Sequence, residues 1–134
     1  MTNDTSSPLV IVIEDQADIV DLIELILARK GYRVMRAYTA DEGLHMVEQH
    51  HPDLVLLDLM MPQTDGWEVH RAMRQDPDLA KIPVVYVTAK ASAADRLRAM
   101  EEEGAAGYVT KPFGPRELME AVESALRGRA VPAS

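Results

Sequence analysis

The architecture of this chain is most easily recognised at Leu54-Val55-Leu56-Leu57-Asp58, where four apolar residues are followed directly by a carboxylate. A short run that is apolar at every position is typical of a strand buried on both faces of a parallel sheet. A second such run, Leu9–Ile13, is followed by Glu14 and Asp15. Charged groups next to buried strands are costly unless they are paired or bind an ion. The three carboxylates therefore suggest a metal site.

Strand-length runs and helical stripes alternate along the chain. The predicted strands are Leu9–Ile13, Arg33–Ala37, Leu54–Leu57, Pro83–Val87 and Gly107–Thr110. Apolar residues at three- and four-residue steps after each strand predict five helices. The clearest stripe consists of Ile19, Leu22, Ile23, Ile26 and Leu27, and the fourth consists of Ala93, Leu97 and Met100. Five such units predict a doubly wound α/β fold with a parallel sheet. Ligands of these folds bind beyond the carboxyl ends of the strands, where the three acids lie.

Local signals mark helix ends and candidate surface residues. Thr39 and Glu42 have the spacing of a capping box at a helix start. The segment His50-His51-Pro52 is interpreted as a helix end, because no third metal ligand is spaced near it. Trp67 is predicted to be a packing anchor that is partly exposed beside the site. The run Glu101-Glu102-Glu103 is predicted to be a solvated helix end.

Composition and charge exclude several classes of protein. With 134 residues, of which 47% are hydrophobic and 27% charged, the chain has the makeup of one globular domain. No apolar stretch approaches the roughly 20 residues that span a bilayer, and residues 1–8 lack a secretory pattern. A cytoplasmic protein without membrane contact is therefore expected. The absence of cysteine excludes disulfides, and the seven glycines form no dinucleotide or P-loop motif. A net charge of −8 argues against direct nucleic-acid binding.

Two further strands bring a hydroxyl group and a cation to the same edge of the predicted sheet. Thr88 follows the fourth strand and Lys111 follows the fifth. Neighbouring carboxylates repel one another by roughly 1–4 kcal/mol per pair, so the acids require a cation. Oxygen ligands without His or Cys favour Mg²⁺ or Mn²⁺. A hard cation, an ammonium and a hydroxyl around a carboxylate nucleophile suit phosphoryl transfer. The residues predict that Asp58 forms an acyl phosphate.

In these motifs the chain resembles the receiver domains of bacterial two-component response regulators. The motifs follow in order: Glu14-Asp15, Asp58, Met61-Pro62 with Asp65-Gly66, Thr88-Ala89 and Lys111-Pro112. The resemblance extends over residues 9–127 and implies the flavodoxin-like receiver fold with strand order 2-1-3-4-5. It implies a receiver domain at residues 9–127, between flexible segments at 1–8 and 128–134.

The resemblance implies a role for each residue at the carboxyl edge. Asp58 would be the phosphoacceptor, and Thr88 and Lys111 would contact the oxygens of the bound phosphoryl group. Four groups would hold Mg²⁺: the side chains of Glu14, Asp15 and Asp58 and the backbone carbonyl of Met60. A cap of the following helix is a second reading of Glu14-Asp15, compatible with metal binding.

The resemblance also implies a conformational switch. Thr88 would move towards the phosphoryl group, and Tyr108 would rotate inward to fill the space that it leaves. Packing in the core is the alternative reading of an aromatic residue in a short strand. Three residues would flank the pocket: Met60, Ala89 and Lys90. The Lys111–Pro112 peptide bond is expected to be cis.

The implied function is that of a signalling domain, rather than an enzyme acting on a separate substrate. A histidine kinase would supply the phosphoryl group. A target protein would bind the surface formed by helix four, strand five and helix five, roughly residues 92–103, 107–110 and 115–127, and the domain would be a monomer or a phosphorylation-dependent dimer. Two alternatives stay open: a relay that passes the group to a histidine phosphotransfer protein, and a receiver within a longer regulator. An aspartyl phosphatase is disfavoured because Asp58-Leu59-Met60 lacks a second acid.

Overall fold

Five strands alternate with five helices in the computed structural model, which describes residues 7–62 and 65–130. The strands are β1 Leu9–Ile13, β2 Arg33–Ala37, β3 Leu54–Leu57, β4 Val84–Thr88 and β5 Gly107–Thr110. The helices are α1 Ala17–Ala28, α2 Ala40–His50, α3 Gly66–Gln75, α4 Ala93–Leu97 and α5 Pro115–Ala130. A π-helical turn, Arg98–Glu102, directly follows α4. None of the helices in this described part of the chain has the length and apolarity needed to cross a membrane.

The strands form one parallel sheet in the order β2-β1-β3-β4-β5. Alternate residues of each strand enter two different cores. Ile11 and Ile13 of β1 belong to the core that α2 and α3 cover, whereas Val10 and Val12 belong to the core that α1 and α5 cover. Burial of both faces explains why β1 and β3 are apolar at every position. The predicted doubly wound fold and the strand order are confirmed.

Two details of the predicted elements are wrong. Strand β4 begins at Val84 instead of Pro83, because proline has no amide hydrogen for the ladder and contributes only its carbonyl, which accepts from Val55 N at 3.0 Å. In α1 the buried row contains Val20, and Leu22 of the predicted stripe is 40% exposed. Both rows have helical spacing, so the sequence alone does not distinguish them.

Both predicted ends of α2 are confirmed. Thr39 Oγ1 accepts a hydrogen bond from the backbone amide of Glu42 at 3.1 Å, and the Glu42 carboxylate accepts from the amide of Tyr38 at 2.8 Å. At the other end, His51 is the C-cap and adopts the left-handed conformation, with φ at 45°. These caps fix the direction in which the chain enters and leaves the helix.

The apolar face predicted for the fourth helix is not buried, and α4 itself has no buried residue. Leu97 is 60% exposed and Met100 is 40% exposed, whereas Ala99 is completely buried. Leu97 precedes the π-helical turn, so its exposure belongs to α4 itself. After Leu97 the hydrogen bonds span one more residue than those of an α-helix, as in Glu103 N to Arg98 O at 2.9 Å. The extra residue rotates the following side chains around the helix axis.

Glu103 is buried, so the prediction of a solvated glutamate run is wrong at its last residue. Three arginines surround its carboxylate: Arg71 at 3.0 Å, Arg74 at 2.9 Å and Arg98 at 3.4 Å. Glu101 and Glu102 are exposed, as predicted. The guanidinium of Arg98 also lies 4.0 Å from the centroid of the Trp67 ring. It covers Trp67, which is 5% exposed instead of partly exposed.

The Glu103 cluster, which consists of Glu103, Arg71, Arg74 and Arg98, should make the stability of the domain depend on pH. The hydrogen bond from Arg71, opposed by burial and supported by Arg74 and Arg98, lowers the pKa of Glu103 to about 2 from 4.5. The unfolded chain therefore binds the proton first as the pH falls, so the stabilisation is present above pH 4.5 and is lost towards pH 2. We expect Glu103→Gln to lower the free energy of unfolding near pH 7 by about 1–3 kcal/mol, allowing for solvent screening of the arginines.

Denaturant unfolding of the parent and of Glu103→Gln across this pH range tests the assignment. The difference between the two proteins should shrink as the pH falls below 4.5, while Glu102→Gln should stay close to the parent. A difference between parent and Glu103→Gln that does not change with pH would contradict the ionic origin of the stabilisation.

The ends of the described chain extend beyond the predicted domain limits of 9 and 127. The carbonyl of Ser7 accepts from Nε and Nη2 of Arg33 at 3.1 and 2.9 Å, although residues 1–8 are predicted to be a flexible segment. Helix α5 continues to Ala130, so the first three residues of the predicted tail 128–134 are helical. Residues 1–6 and 131–134 of the two predicted segments lie outside the described residues.

Candidate functional site

The sheet brings the ends of β1 and β3 together. Ile13 pairs with Leu57 across the two strands, so Glu14 and Asp58 are the next residues on neighbouring strands. The amide of Asp58 continues the ladder and donates to Ile13 O at 3.1 Å. The apolar runs thus place both carboxylates at the carboxyl edge of the sheet, as predicted.

Glu14, Asp15 and Asp58 form an acidic cluster. Each offers one carboxylate oxygen, and these oxygens all lie within 4.8 Å of one another. Glu14 is 1% exposed and Asp58 is 3% exposed, whereas Asp15 is partly exposed and also lines a cleft of about 470 Å³ beside Met61 and Pro62. An oxygen-only ligand set with excess negative charge fits a hard divalent cation such as Mg²⁺. The three carboxylates predicted to bind a metal are therefore close enough to do so.

Lys111 supplies the positive charge of this site. Its Nζ lies 2.7 Å from Glu14 Oε1 and 3.2 Å from Asp58 Oδ2, and it donates to Gln16 Oε1 at 3.3 Å. Burial alone would lower the pKa of Lys111, but the two carboxylates outweigh it and raise the pKa above its ordinary value. The side chain is therefore an ammonium near neutral pH.

The surroundings of Glu14 disfavour the ionised form of its carboxyl group. Burial raises its pKa to about 7, the adjacent ammonium of Lys111 opposes this rise, and the negative charge of Asp58 adds to it. One ammonium does not compensate three carboxylates, which is the condition in which a further cation stabilises a site. The excess negative charge and the oxygen ligands thus both favour a bound divalent cation.

Asp58 is held by the loop that follows it. Its Oδ1 accepts a hydrogen bond from the amide of Met60 at 2.9 Å, which fixes the rotation of the carboxylate and leaves Oδ2 towards Lys111. The Met60 side chain is 54% exposed and lies at the rim of the site. The metal-ligand role of the Met60 carbonyl stays a prediction.

Thr88 is the last residue of β4 and Tyr108 is the second residue of β5, and the two are linked through Lys90. The buried Thr88 hydroxyl accepts from the amide of Lys90 at 3.3 Å. The hydroxyl of Tyr108 donates to the carbonyl of Lys90 at 2.7 Å. Tyr108 is 8% exposed, and its ring packs edge to face on the ring of Tyr86, with 6.1 Å between the ring centroids. Tyr108 is thus already directed inward in this structure. The adjacent Ala89 is exposed.

The structure adds two residues to those predicted at the site. Gln16 contacts Lys111 through its side chain, and its amide donates to Glu14 Oε2 at 3.2 Å; its only signal in the sequence is that it follows the acidic pair. Gly66 has a steric role, because a Cβ atom there would lie 2.8 Å from both Asp58 O and Leu59 Cα. The start of α3 therefore approaches the loop of Asp58 as closely as glycine permits.

We expect Gly66→Ala to displace the loop that carries Asp58, because the backbone contacts at 2.8 Å leave no space for a methyl group. Overpacking of this kind costs about 1–3 kcal/mol of stability, which denaturant unfolding measures. Gly128→Ala is the matched control, since it is within α5 and nothing lies within 4 Å of the position that a Cβ atom would take there. Alanine there should stabilise the helix. Equal stability of the two variants would contradict the steric role.

The Lys111–Pro112 bond is cis, as the resemblance implied. A family model described as the response regulator receiver domain matches residues 10–123. Among solved structures, the chain is similar to a response regulator receiver domain protein (CheY-like) from Methanospirillum hungatei, with 30% identity, coverage of 92% of this chain and 96% of that chain, and a TM-score of 0.81.

Two further solved structures show the same likeness. The signal receiver domain of a signal transduction histidine kinase from Syntrophus aciditrophicus has 27% identity, coverage of 96% and 97%, and a TM-score of 0.82. A response regulator receiver domain protein from Clostridium thermocellum has 26% identity, coverage of 91% and 96%, and a TM-score of 0.82. With its sheet order, its acidic edge and these matches, the chain belongs to the response regulator receiver domain family.

Proposed function

We propose that Asp58 accepts a phosphoryl group from the phosphohistidine of a histidine kinase. The observation that carries this proposal is the placement of Asp58: a carboxylate that is 3% exposed, oriented by the Met60 amide and facing the Lys111 ammonium at 3.2 Å. A carboxylate oxygen attacks phosphorus, the phosphorus–nitrogen bond of the donor breaks, and its electron pair stays with the imidazole, which takes up a proton. The product is an aspartyl phosphate.

Glu14, Asp15, Asp58 and the backbone carbonyl of Met60 would hold Mg²⁺, or Mn²⁺ in its place. When bound, the ion supplies positive charge that offsets the charge of the phosphoryl oxygens. The Lys111 ammonium, now shared between Glu14 and Asp58, would pair with a phosphoryl oxygen. The exposed Ala89 and the rim residue Met60 leave the pocket accessible to a donor.

Thr88 and Tyr108 are proposed to report the modification. The Thr88 hydroxyl would donate to a phosphoryl oxygen and release the amide of Lys90, from which it now accepts. Because the Tyr108 hydroxyl holds the carbonyl of Lys90, a change at Thr88 reaches Tyr108 through one residue. The inward ring of Tyr108 would be retained in the phosphorylated state, while the loop around Lys90 rearranges. Phosphorylation adds negative charge and acceptor oxygens that drive this change.

The surface formed by α4, β5 and α5 is proposed to bind a target protein in the cytoplasm when Asp58 is phosphorylated. The domain would do so as a monomer or as a phosphorylation-dependent dimer. A second candidate is a relay that passes the phosphoryl group to a histidine phosphotransfer protein. The likeness to the receiver domain of a histidine kinase supports this second candidate. It also supports a third, in which the chain is the receiver of a longer regulator. Transfer of label from the phosphorylated chain to a histidine phosphotransfer domain distinguishes a relay from an endpoint.

We expect the chain to gain one phosphoryl group from acetyl phosphate in the presence of Mg²⁺. Intact-mass spectrometry measures the gain, and stability in acid with lability to hydroxylamine identifies an acyl phosphate. Removing Mg²⁺ with a chelator should reduce the gain to background, because the acids and the phosphoryl oxygens would otherwise repel one another. Adding excess Mg²⁺ should restore it. Equal incorporation with and without the metal would contradict the proposed metal site.

A further inference from the structure

The segment from Lys90 to Ala106 has two sets of contacts that do not overlap. The first set faces the pocket: Lys90 bonds to Thr88 and Tyr108, and the guanidinium of Arg96 lies 5.0 Å from the centroid of the Tyr108 ring. Helix α4 itself has no buried residue, and Leu97 at its end is 60% exposed. Residues 90–97 are therefore attached to the rest of the domain through Lys90 and through Arg96, which contacts Tyr108.

The second set faces α3 and begins at Arg98. Arg98 stacks on the buried Trp67, and Ala99 is completely buried. Arg74 binds Glu103 twice, with Nη2 on the carboxylate at 2.9 Å and Nη1 on the backbone carbonyl at 2.5 Å. Helix α3 therefore holds both the side chain and the main chain at the end of the π-helical turn.

The two sets differ in how firmly they hold the segment. The Glu103 carboxylate is 6% exposed and has three arginine partners, and removing one partner of a buried pair leaves an uncompensated charge. The Ser92–Asp95 cap at 2.7 Å and the Lys90–Asp95 ion pair at 3.8 Å join residues within 90–97 and do not attach them to the rest of the domain. The side chain that attaches α4 is Arg96, whose Nη1 donates to Tyr108 O at 3.4 Å. Solvent-accessible ion pairs such as Lys90–Asp95 contribute little to the free energy of folding.

The boundary between the two sets falls at the π-helical turn. Leu97 is the last residue of α4, and Arg98 begins the turn. π-helical turns are rare, and they recur at functional positions. At this turn the contacts of the segment change from the pocket to α3.

We propose that the Glu103 cluster, formed by Glu103, Arg71, Arg74 and Arg98, is a fixed anchor and that the π-helical turn is a hinge. Phosphorylation would then move residues 90–97, while residues 98–106 stay on α3. The target protein would therefore recognise the position of α4 relative to an immobile base. This inference rests on the proposed phosphorylation of Asp58.

Hydrogen–deuterium exchange of the full chain, with and without acetyl phosphate and Mg²⁺, tests the proposal. In the parent, phosphorylation should change exchange in peptides covering residues 90–97 and leave residues 98–106 unchanged. In Glu103→Gln, residues 98–106 should exchange at least about tenfold faster before phosphorylation, and the phosphorylation-dependent change should spread into them. Glu102→Gln removes the same charge from an exposed neighbour and should behave like the parent.

Arg71→Gln removes one of the three arginines and is the milder variant if Glu103→Gln does not fold. It should increase exchange in residues 98–106 by less than Glu103→Gln. The anchor is refuted if parental residues 98–106 change on phosphorylation as much as residues 90–97, or if the variants exchange like Glu102→Gln. The mass of the same samples shows whether phosphoryl transfer occurred: without a mass gain the proposed function fails, whereas the unphosphorylated variants still test the anchor.

Discussion

Asp58→Asn is expected to reduce phosphoryl incorporation from acetyl phosphate to background. An amide oxygen is a poor nucleophile, and the substitution also removes one of the three negative charges that would attract the cation. The shape of the side chain and its bond to the Met60 amide are retained, so the loss would arise from chemistry and not from misfolding. Intact-mass spectrometry of folded parent and variant under the same Mg²⁺ concentration measures the effect.

Asp65→Asn is the matched control for this prediction. Asp65 is exposed and caps α3 through its Oδ1, which accepts from Trp67 N at 3.0 Å. Asparagine caps helices as well as aspartate does, so this variant should be labelled like the parent. Loss of labelling in both variants would point to a general effect of charge instead of a specific acceptor.

Lys111→Ala is expected to separate phosphorylation from the change at the α4–β5–α5 surface. The ammonium is 13% exposed and lies between Glu14 and Asp58. Without it, the two buried carboxylates lose their counter-charge, and breaking such a pair costs about 3 kcal/mol of stability in the absence of metal. Mg²⁺ should recover part of this loss, because a ligand that binds only the folded state stabilises it.

Two measurements check the effect of Lys111→Ala. Denaturant unfolding with and without Mg²⁺ gives the stability, and hydrogen–deuterium exchange of residues 90–97 reports the conformational response. We expect the variant to gain a phosphoryl group while exchange in this segment stays unchanged. Lys81→Ala, which removes an exposed lysine, should behave like the parent. A normal response in Lys111→Ala would show that another group detects the phosphoryl charge.

The fold could be predicted because the information that specifies it is local. Each strand is a short run rich in apolar residues, continuous in Leu54–Leu57, and both faces of the sheet are buried. The predicted strand start at Pro83 is wrong because proline is apolar but lacks the amide hydrogen that the ladder requires. The error at Met100 has another cause: the π-helical turn changes the periodicity after Leu97, and no residue type marks such a turn.

The carboxyl-edge site was predictable to the same extent, because parallel strands bring their ends together in a known order. Glu14, Asp15, Asp58 and Lys111 each follow a strand closely and meet as expected. Neither the tight approach at Gly66 nor the contact of Gln16 can be obtained from residue type, because both depend on the path of α1 and α3.

The burial of Glu103 could not be predicted from its neighbourhood in the sequence. It ends a run of three glutamates, which is typical of a solvated surface. Its partners Arg71 and Arg74 are about thirty residues away on α3, and only the tertiary fold brings them next to it. Tertiary packing thus overrides a local pattern of charge.

The most direct test of the account is to identify the phosphorylated residue. After reaction with acetyl phosphate and Mg²⁺, borohydride reduction converts an aspartyl phosphate into homoserine, which peptide sequencing by mass spectrometry locates. The account predicts homoserine at Asp58 alone, and none when the metal is chelated. Homoserine at Asp15 or Asp65, or an unreduced Asp58 in a protein that has gained a phosphoryl group, would contradict it.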